Sequence, residues 1–280
     1  AIDKNGNQIH VRDAKKEEIY YCPICKNEFI LRKSGKTGKG SKRPHFAHHE
    51  ISTNCTPEGV LHYLSKINVI KILEDYKSEN KPFIINWKCI YCEKKNTGNI
   101  LAQVDSIKEE YYLDEYRPDI ALLNKEQKVM AVIEIVVTHK PEEKVLKYYK
   151  DNNIILIQIN MISEEDLYLL KDKLEKPDIV DLCMNYRCQN MNENIINRKI
   201  KIYNTNCGFC FNRIEKYKIE INSIFGKNES SDFSENEIKS IQSNRNNIKI
   251  EIDKITKEKY PRYICRNCQK IRNKYNIRKF

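Results

Sequence analysis

Two neighbouring apolar runs dominate the middle of this chain: RPDIALL at residues 117–123 and VMAVIEIVV at residues 129–137. Their aliphatic and β-branched residues, separated by a polar break, predict two paired strands joined by a tight turn. Each run contains one acid, Asp119 in the first and Glu134 in the second. Because an unpaired buried charge is costly, we expect the two carboxylates to face a shared cation or a polar cleft, and two oxygen donors suit Mg²⁺ or Mn²⁺.

Alternating strands and helices are predicted around these runs. The segments whose composition predicts strands are 83–88, 99–105, 117–123, 129–137 and 154–159. Three helices are predicted. The first starts at the cap Thr56-Pro57-Glu58 and reaches about residue 76, the second covers residues 141–150, and the third runs from Ser163 to about residue 173. This alternation predicts an α/β/α core.

Three consecutive domains are expected from these elements. A short β-hairpin within residues 7–21 leads into a zinc knuckle, and together they form a domain over residues 1–56. The α/β/α core covers residues 57–176, where the strand–helix alternation stops. A cysteine-rich zinc-binding domain is expected over residues 177–280.

The chain has eleven cysteines, and most of them occur as closely spaced pairs whose chemistry depends on the cellular compartment. The first residues, AIDKNGN, are polar rather than signal-like, and no run approaches the ~18 apolar residues of a membrane span. We therefore expect a cytoplasmic protein with no membrane partner. In a reducing compartment, paired cysteines indicate thiolate zinc ligands rather than disulfides.

Up to three structural Zn²⁺ ions are expected from the spacing of these ligands. The first site is expected to combine the ligands Cys22, Cys25, His45 and His48, with His49 or Cys55 as a substitute for one of them. Four further pairs each supply half a site: Cys89/Cys92, Cys183/Cys188, Cys207/Cys210 and Cys265/Cys268. We expect the last two pairs to form a zinc-ribbon-like site and the first two to form another, although spacing alone leaves other pairings open.

A basic balance indicates an anionic partner. The chain has 50 Lys and Arg against 39 Asp and Glu, a net charge of +11. Residues 29–49 and 260–280 contain basic residues and no acids. Nucleic acid, and DNA rather than RNA, is the partner we expect, while a solvated surface in a lysine-rich protein is the alternative.

The order of these motifs resembles the competence-protein CoiA-like nucleases over roughly residues 1–160. The resemblance is carried by Cys22-Pro23-Ile24-Cys25, by Pro44-His45-Phe46-Ala47-His48, by Glu58 with His62 and Lys66, and by Arg117-Pro118-Asp119 and Ile133-Glu134. Those proteins are similar to the PD-(D/E)xK nuclease superfamily. The resemblance implies a PD-(D/E)xK-like α/β/α core in which Asp119 and Glu134, with Glu58 as a third acid, bind Mg²⁺ or Mn²⁺.

A metal-dependent nuclease that hydrolyses DNA phosphodiester bonds is the function this resemblance implies, in DNA uptake, DNA processing or phage defence. The position usually occupied by the motif lysine is Val136, whose apolar side chain cannot orient water. Lys66, on the same helical face as Glu58, is the expected substitute, and His139 and Lys140 are the other candidates.

Two further functions remain open. Val136 favours a catalytically inactive, zinc-dependent nucleic-acid-binding protein. The cysteine pairs alone would suit a zinc scaffold that recruits a protein partner. The three functions predict different results with nucleic acid. The nuclease would cleave it in the presence of Mg²⁺, the inactive protein would bind it without cleavage, and the scaffold would not bind it.

Overall fold

The computed structural model describes residues 1–32, 44–49, 55–230, 232–244, 248–252 and 259–269. Two basic stretches were predicted to contact phosphates. Most of the first, residues 33–43, and most of the second, residues 270–280, lie outside the described residues.

The described chain contains both helices and strands. The helices are α1 (Pro57–Ser78), α2 (Glu143–Asp151), α3 (Leu170–Glu175) and α4 (Glu235–Asn244), and a 3₁₀ helix covers Glu164–Leu167. The strands of the first half are β1 (Tyr20–Tyr21), β2 (Glu28–Arg32), β3 (His45–His48), β4 (Ile84–Lys88), β5 (Lys95–Asn99), β6 (Ser106–Glu109), β7 (Ile120–Leu123) and β8 (Val129–Val136). Those of the second half are β9 (Ile155–Asn160), β10 (Ile179–Val180), β11 (Asn197–Asn206), β12 (Arg213–Ser223), β13 (Gly226–Ser230), β14 (Ile248–Ile252) and β15 (Lys259–Tyr263).

Two compact units make up the chain, and each is discontinuous in sequence. The first unit comprises Ala1–Phe83 and Asp105–Val180, and the second comprises Ile84–Val104 and Asp181–Phe280. This division differs from the three consecutive domains expected from the sequence. The expected zinc knuckle and α/β/α core fall in the same unit, whereas residues 84–104 leave that core and join the cysteine-rich C-terminal part.

The core of the first unit is a five-stranded sheet in the order β10-β9-β8-β7-β6. Strands β8 and β9 are parallel and are connected by α2, while the other neighbours in the sheet are antiparallel. All four residues of β7 and seven of the eight in β8 are buried. Burial on both faces explains why the two runs read as nearly continuous apolar sequence.

Helix α1 packs against this sheet and begins where the capping signals predicted. Thr56 is its N-cap, the hydroxyl of Thr56 accepts a hydrogen bond from the amide of Gly59 at 3.0 Å, and Pro57 fills the first helical position. The helix ends at Ser78, two residues beyond the expected end. It contacts β6, β8 and α3.

A second, smaller sheet in the first unit has the order β1-β2-β3. The prediction of a hairpin within residues 7–21 is wrong. The hairpin that forms here is β1–β2, and its turn contains Cys22 and Cys25. Pro23 and the left-handed backbone of Lys26, with φ 62°, favour a turn at this point. The cysteine pair is therefore the turn of the hairpin rather than a segment that follows it.

The second unit contains the hairpin β4–β5, the antiparallel sheet β11-β12-β13, helix α4 and the hairpin β14–β15. Segments 83–88 and 99–105 are therefore not core strands as predicted: the first corresponds to β4, and the second follows β5 as two successive turns. Strand β6, which the sequence did not predict, takes the place at the edge of the core sheet. Among the described residues, no helix combines the length and the apolar character needed to cross a membrane.

Candidate functional site

Three groups of cysteine and histidine ligands are the most compact chemical feature of the described residues. They are Cys22/Cys25/His48/Cys55, Cys89/Cys92/Cys183/Cys188 and Cys207/Cys210/Cys265/Cys268. The ligand atoms of each group lie within 4.8 Å of one another, and no cysteine is in a disulfide. Each group can hold a structural zinc ion.

The first group corrects one predicted ligand. His48 Nε2 lies 3.3 Å from the sulfur of Cys25, and the sulfur of Cys55 lies 3.2 Å from that of Cys22. His45 is not part of the group. Both histidines belong to β3, and residues three apart in a strand point to opposite faces, so only one of them can face the cysteines. Cys55, weighed from the sequence as a substitute, completes the group.

The other two groups use the pairings expected from the sequence. The sulfur–sulfur distances are 3.6 Å for Cys89–Cys188, 3.5 Å for Cys92–Cys183, 3.7 Å for Cys207–Cys268 and 3.5 Å for Cys210–Cys265. A tetrahedral ion with Zn–S bonds of ~2.3 Å separates its sulfurs by ~3.8 Å, whereas a disulfide needs ~2.05 Å. The distances therefore fit zinc.

Backbone amides favour the thiolate form of Cys207 in the third group. The amides of Phe209 and Cys210 lower the pKa of Cys207 to about 6. In the other knuckles, the amides of Ile24 and Asn185 lie 3.4 Å from the sulfur of Cys22 and 3.5 Å from that of Cys183. Since the thiolate is the form that binds metal, the turn at Cys207 is arranged for metal binding, whereas burial raises the pKa of Cys183.

The two core acids meet at one end of the β7–β8 hairpin. The antiparallel register pairs Ile120 with Ile133, so the next pair in that direction is Asp119 with Glu134, and paired residues share a face. The amide of Ile135 donates a hydrogen bond to Asp119 Oδ2 at 2.8 Å. The register therefore brings the two carboxylates to the same face of the hairpin, as a shared cation site would require.

Glu134 is partly buried, and its surroundings alter its pKa. Burial, followed by the negative charge of Asp119, raises the pKa of Glu134 to about 7. The hydroxyl of Tyr149 on α2 donates a hydrogen bond to Glu134 Oε1 at 2.6 Å. A raised carboxyl pKa beside a second acid is typical of a site that becomes fully charged when a cation arrives.

One face of α1 lies against the same end of the sheet, where β8, β7 and β6 each have one terminus; we call this end the acid edge. Glu58, His62 and Lys66 are four residues apart, and each contacts the end of a different strand. Glu58 accepts a hydrogen bond from Thr138 beyond β8, His62 Nε2 lies 3.0 Å from both oxygens of Asp119, and Lys66 pairs with the end of β6. The order along the helix follows the strand order β8, β7, β6. The hydrogen bond that Asp119 accepts raises the pKa of His62.

Lys66 is committed to other acids. Its amino group lies 3.0 Å from Glu109 and 2.5 Å from Glu110, and its side chain is 4% exposed. Burial acts to lower the pKa of Lys66, but the hydrogen bonds that its ammonium group donates to the two glutamates raise it. In the described chain, the ion-pair partners of Lys66 do not include Asp119 or Glu134.

The two remaining predicted candidates, His139 and Lys140, are both exposed. The side chain of His139 is 90% exposed, and its Nδ1 lies 3.3 Å from Glu58 Oε1. Lys140 is also exposed, whereas Val136 is buried within β8. His139 therefore lies near Glu58, and Val136 leaves no polar group at its own position.

Two residues at this edge were not among the predicted site residues. His62 could have been found from its position four residues after Glu58 and four before Lys66. Tyr149 gave no such signal, because its contact with Glu134 depends on how α2 returns to the sheet. Among the described residues, only the three cysteine groups bring three or more possible metal ligands within 4.8 Å of one another, and the acids at these strand ends do not.

The fold and its ligand groups define a mixed α/β protein with three sites suited to structural zinc. Residues 4–57 match the family described as competence protein CoiA, N-terminal domain. This segment contains all four ligands of the first group. The predicted resemblance to the CoiA-like proteins is confirmed over these residues. No curated protein and no solved structure matches the chain.

Proposed function

We propose that the protein is a metal-dependent nuclease that hydrolyses phosphodiester bonds of DNA. The observation that carries the proposal is the pairing of Asp119 and Glu134 on neighbouring strands, with His62 held against Asp119. Paired carboxylates at one edge of a sheet, one of them with a raised pKa, are suited to divalent cations rather than to structural ion pairing.

The donor set fits Mg²⁺ or Mn²⁺. Asp119 and Glu134 would hold the ion, and Glu58 is the third acid on the same edge. When bound, the ion supplies charge neutralisation at the phosphate and a lower pKa for a coordinated water. Tyr149 holds Glu134 in place by its hydrogen bond, and the amide of Ile135 does the same for Asp119.

Lys66, His139 and Lys140 remain the candidates to position the attacking water. Lys66 can do so only if its amino group leaves Glu109 or Glu110, or if its charge acts through His62. His139 is exposed and free to turn toward a substrate from its place beside Glu58.

The test is cleavage of single- and double-stranded DNA by the whole protein with Mg²⁺ or Mn²⁺. Asp119→Asn and Glu134→Gln keep the shape of each side chain but remove the charge, so both should lower the rate by at least ~100-fold. Glu126→Gln removes an exposed acid at the opposite end of the hairpin and should leave the rate unchanged. Equal cleavage by all three variants and the unsubstituted protein would overturn the proposal.

A catalytically inactive, zinc-dependent nucleic-acid-binding protein is the second candidate. Two observations favour it: Val136 is buried at the motif-lysine position, and Lys66 is engaged by two glutamates. Binding of DNA with no metal-dependent cleavage by the unsubstituted protein would support this candidate.

The CoiA N-terminal domain supports a competence-associated role for the protein. A nuclease in that setting would process DNA during uptake, and DNA processing or phage defence requires the same reaction. Comparison of transformation frequency and phage plating on cells with the unsubstituted chain or the Asp119→Asn variant distinguishes these settings.

A further inference from the structure

The net positive charge of the chain belongs to one of its two units. The first unit has 26 basic and 27 acidic residues, and the second has 24 basic and 12 acidic residues, a difference of +12. The proposed acid site lies in the first unit, whose own charge offers a polyanion no overall attraction. An anionic partner is therefore drawn to the second unit.

The outer face of the β11-β12-β13 sheet collects lysines within that unit. Residues directly opposite in an antiparallel register share a face, and the register pairs Lys199 with Glu220, Lys201 with Lys218, Tyr203 with Lys216, and Asn222 with Lys227. One face thus carries five lysines and two glutamates, Glu220 and Glu229. We call it the lysine face.

Lysines on the lysine face are exposed to solvent, whereas the central strand β12 buries residues on its other face. Tyr217, Ile219 and Ile221 of the central strand point to the other face and are 8%, 0% and 5% exposed. Lys199, Lys216 and Lys227 are exposed. Within β12, this alternation places apolar residues on one side and lysines on the other.

The centre of the lysine face is ordered by its two acids and one aromatic ring. Lys201 lies 3.4 Å from Glu220 and 3.7 Å from Glu229, and Lys218 also pairs with Glu229. The amino groups of Lys201 and Lys218 lie 5.1 Å and 5.6 Å from the centre of the Tyr203 ring. These contacts hold the central lysines in place.

Among the described residues, the three outer lysines are not held in close ion pairs, although the charge of Lys227 interacts with that of Glu220. No acidic side chain of the described residues forms an ion pair with Lys199, Lys216 or Lys227. A solvated sheet often carries lysines, so exposure alone would indicate no ligand. Three exposed ammonium groups outside the close ion pairs of a rigid centre, in the unit that holds the net charge, complement a row of phosphates.

We infer that the lysine face binds the phosphate backbone of a nucleic acid without reading its sequence. This inference goes beyond the proposed nuclease activity, because it concerns the other unit and needs no cleavage. Lysine ammonium groups contact phosphates as point charges, so the affinity is expected to depend on salt more than on base composition.

The test measures binding of a fluorescein-labelled oligothymidine to the zinc-loaded whole protein without added Mg²⁺, by fluorescence anisotropy over a range of salt. The variant Lys199→Gln/Lys216→Gln/Lys227→Gln should weaken binding and reduce the magnitude of the log Kd against log salt slope by about 2, because each phosphate contact of a single strand contributes ~0.7. The matched control is Lys16→Gln/Lys125→Gln/Lys128→Gln, which removes the same charge from exposed lysines of the first unit. Its slope should not change.

Zinc content and circular dichroism confirm that both triple variants are folded. The inference is overturned if the two variants lose affinity and slope equally, or if neither does. It is also overturned if polyglutamate of equal charge competes as well as the oligonucleotide. Loss of cleavage in Asp119→Asn with intact binding supports both proposals, whereas loss of binding in the lysine variant of a protein that never cleaves supports the lysine face alone.

Discussion

Asp119 and Glu134 lie opposite each other at one end of the β7–β8 hairpin, and Asp119 Oδ2 accepts a hydrogen bond from the amide of Ile135 at 2.8 Å. The two acids are fifteen residues apart in sequence, and the antiparallel register brings them together. This geometry makes the carboxylate environment directly testable, even before any substrate is identified.

The hydrogen bond from Tyr149 to Glu134 should contribute to stability. Tyr149→Phe removes the donor to a buried carboxylate, and the expected loss in the free energy of unfolding is about 1 kcal/mol. The same bond lowers the pKa of Glu134, so the variant should titrate Glu134 at a higher pH. Urea unfolding and carboxyl NMR titration measure the two effects.

Tyr148→Phe is the control for that measurement. The hydroxyl of Tyr148 donates a hydrogen bond to Asp114 in an exposed setting, so the loss in the free energy of unfolding should be smaller. Equal losses in the two variants would contradict a special role for Tyr149.

His48, and not His45, should be required for the first zinc ion. His48→Ala and Cys55→Ser each remove a ligand, so zinc content should fall from three ions per chain to two. His45→Ala should keep three, because His45 points to the other face of β3. Elemental analysis of purified protein decides the matter, and loss of zinc from His45→Ala would refute this ligand set.

The Lys66–Glu110 pair should contribute stability that depends on pH. The hydrogen bond from Lys66 lowers the pKa of Glu110 in the folded state, so the unfolded chain binds its proton more readily. The contribution is present above the ordinary carboxyl pKa of ~4.5 and is lost as pH falls through the lower folded value. Glu110→Gln should therefore flatten the decline in unfolding free energy at acid pH.

Glu126→Gln removes a charge from an exposed turn and is the control for Glu110→Gln. Denaturant titrations at a series of pH values provide the comparison. If the unfolding free energy of Glu110→Gln declines at acid pH as steeply as that of the unsubstituted protein, the pair with Lys66 contributes nothing measurable to stability. Many ion pairs with an exposed partner behave in this way.

Each cysteine group of the second unit should stabilise the hairpin that carries it. Cys89 and Cys92 are in the β4–β5 turn and meet Cys183 and Cys188 from a distant segment. Cys188→Ser should therefore speed amide hydrogen exchange in β4 and β5.

Cys210→Ser supplies the reciprocal control, because its group contains the β11–β12 turn. It should speed exchange around that turn and leave β4 and β5 protected. If either variant exposes both hairpins equally, the two metal groups do not stabilise separate parts of the unit.

Features that depend on near neighbours could be read from the sequence. The start of α1 follows from Thr56 and Pro57, and strands β7 and β8 follow from their apolar runs. The short spacing within each cysteine pair likewise predicted a metal-binding turn. A few adjacent residues are enough to set a cap, a periodicity or a turn.

Features that depend on distant contacts required the folded chain. The choice of His48 over His45 depends on which face of β3 meets Cys22 and Cys25, and the loss of residues 84–104 from the core depends on their pairing within β4–β5 and with the C-terminal cysteines. Tyr149 reaches Glu134 only because α2 returns across the sheet. Residue types set the available chemistry over a few positions, whereas register and long-range packing select which groups share a site.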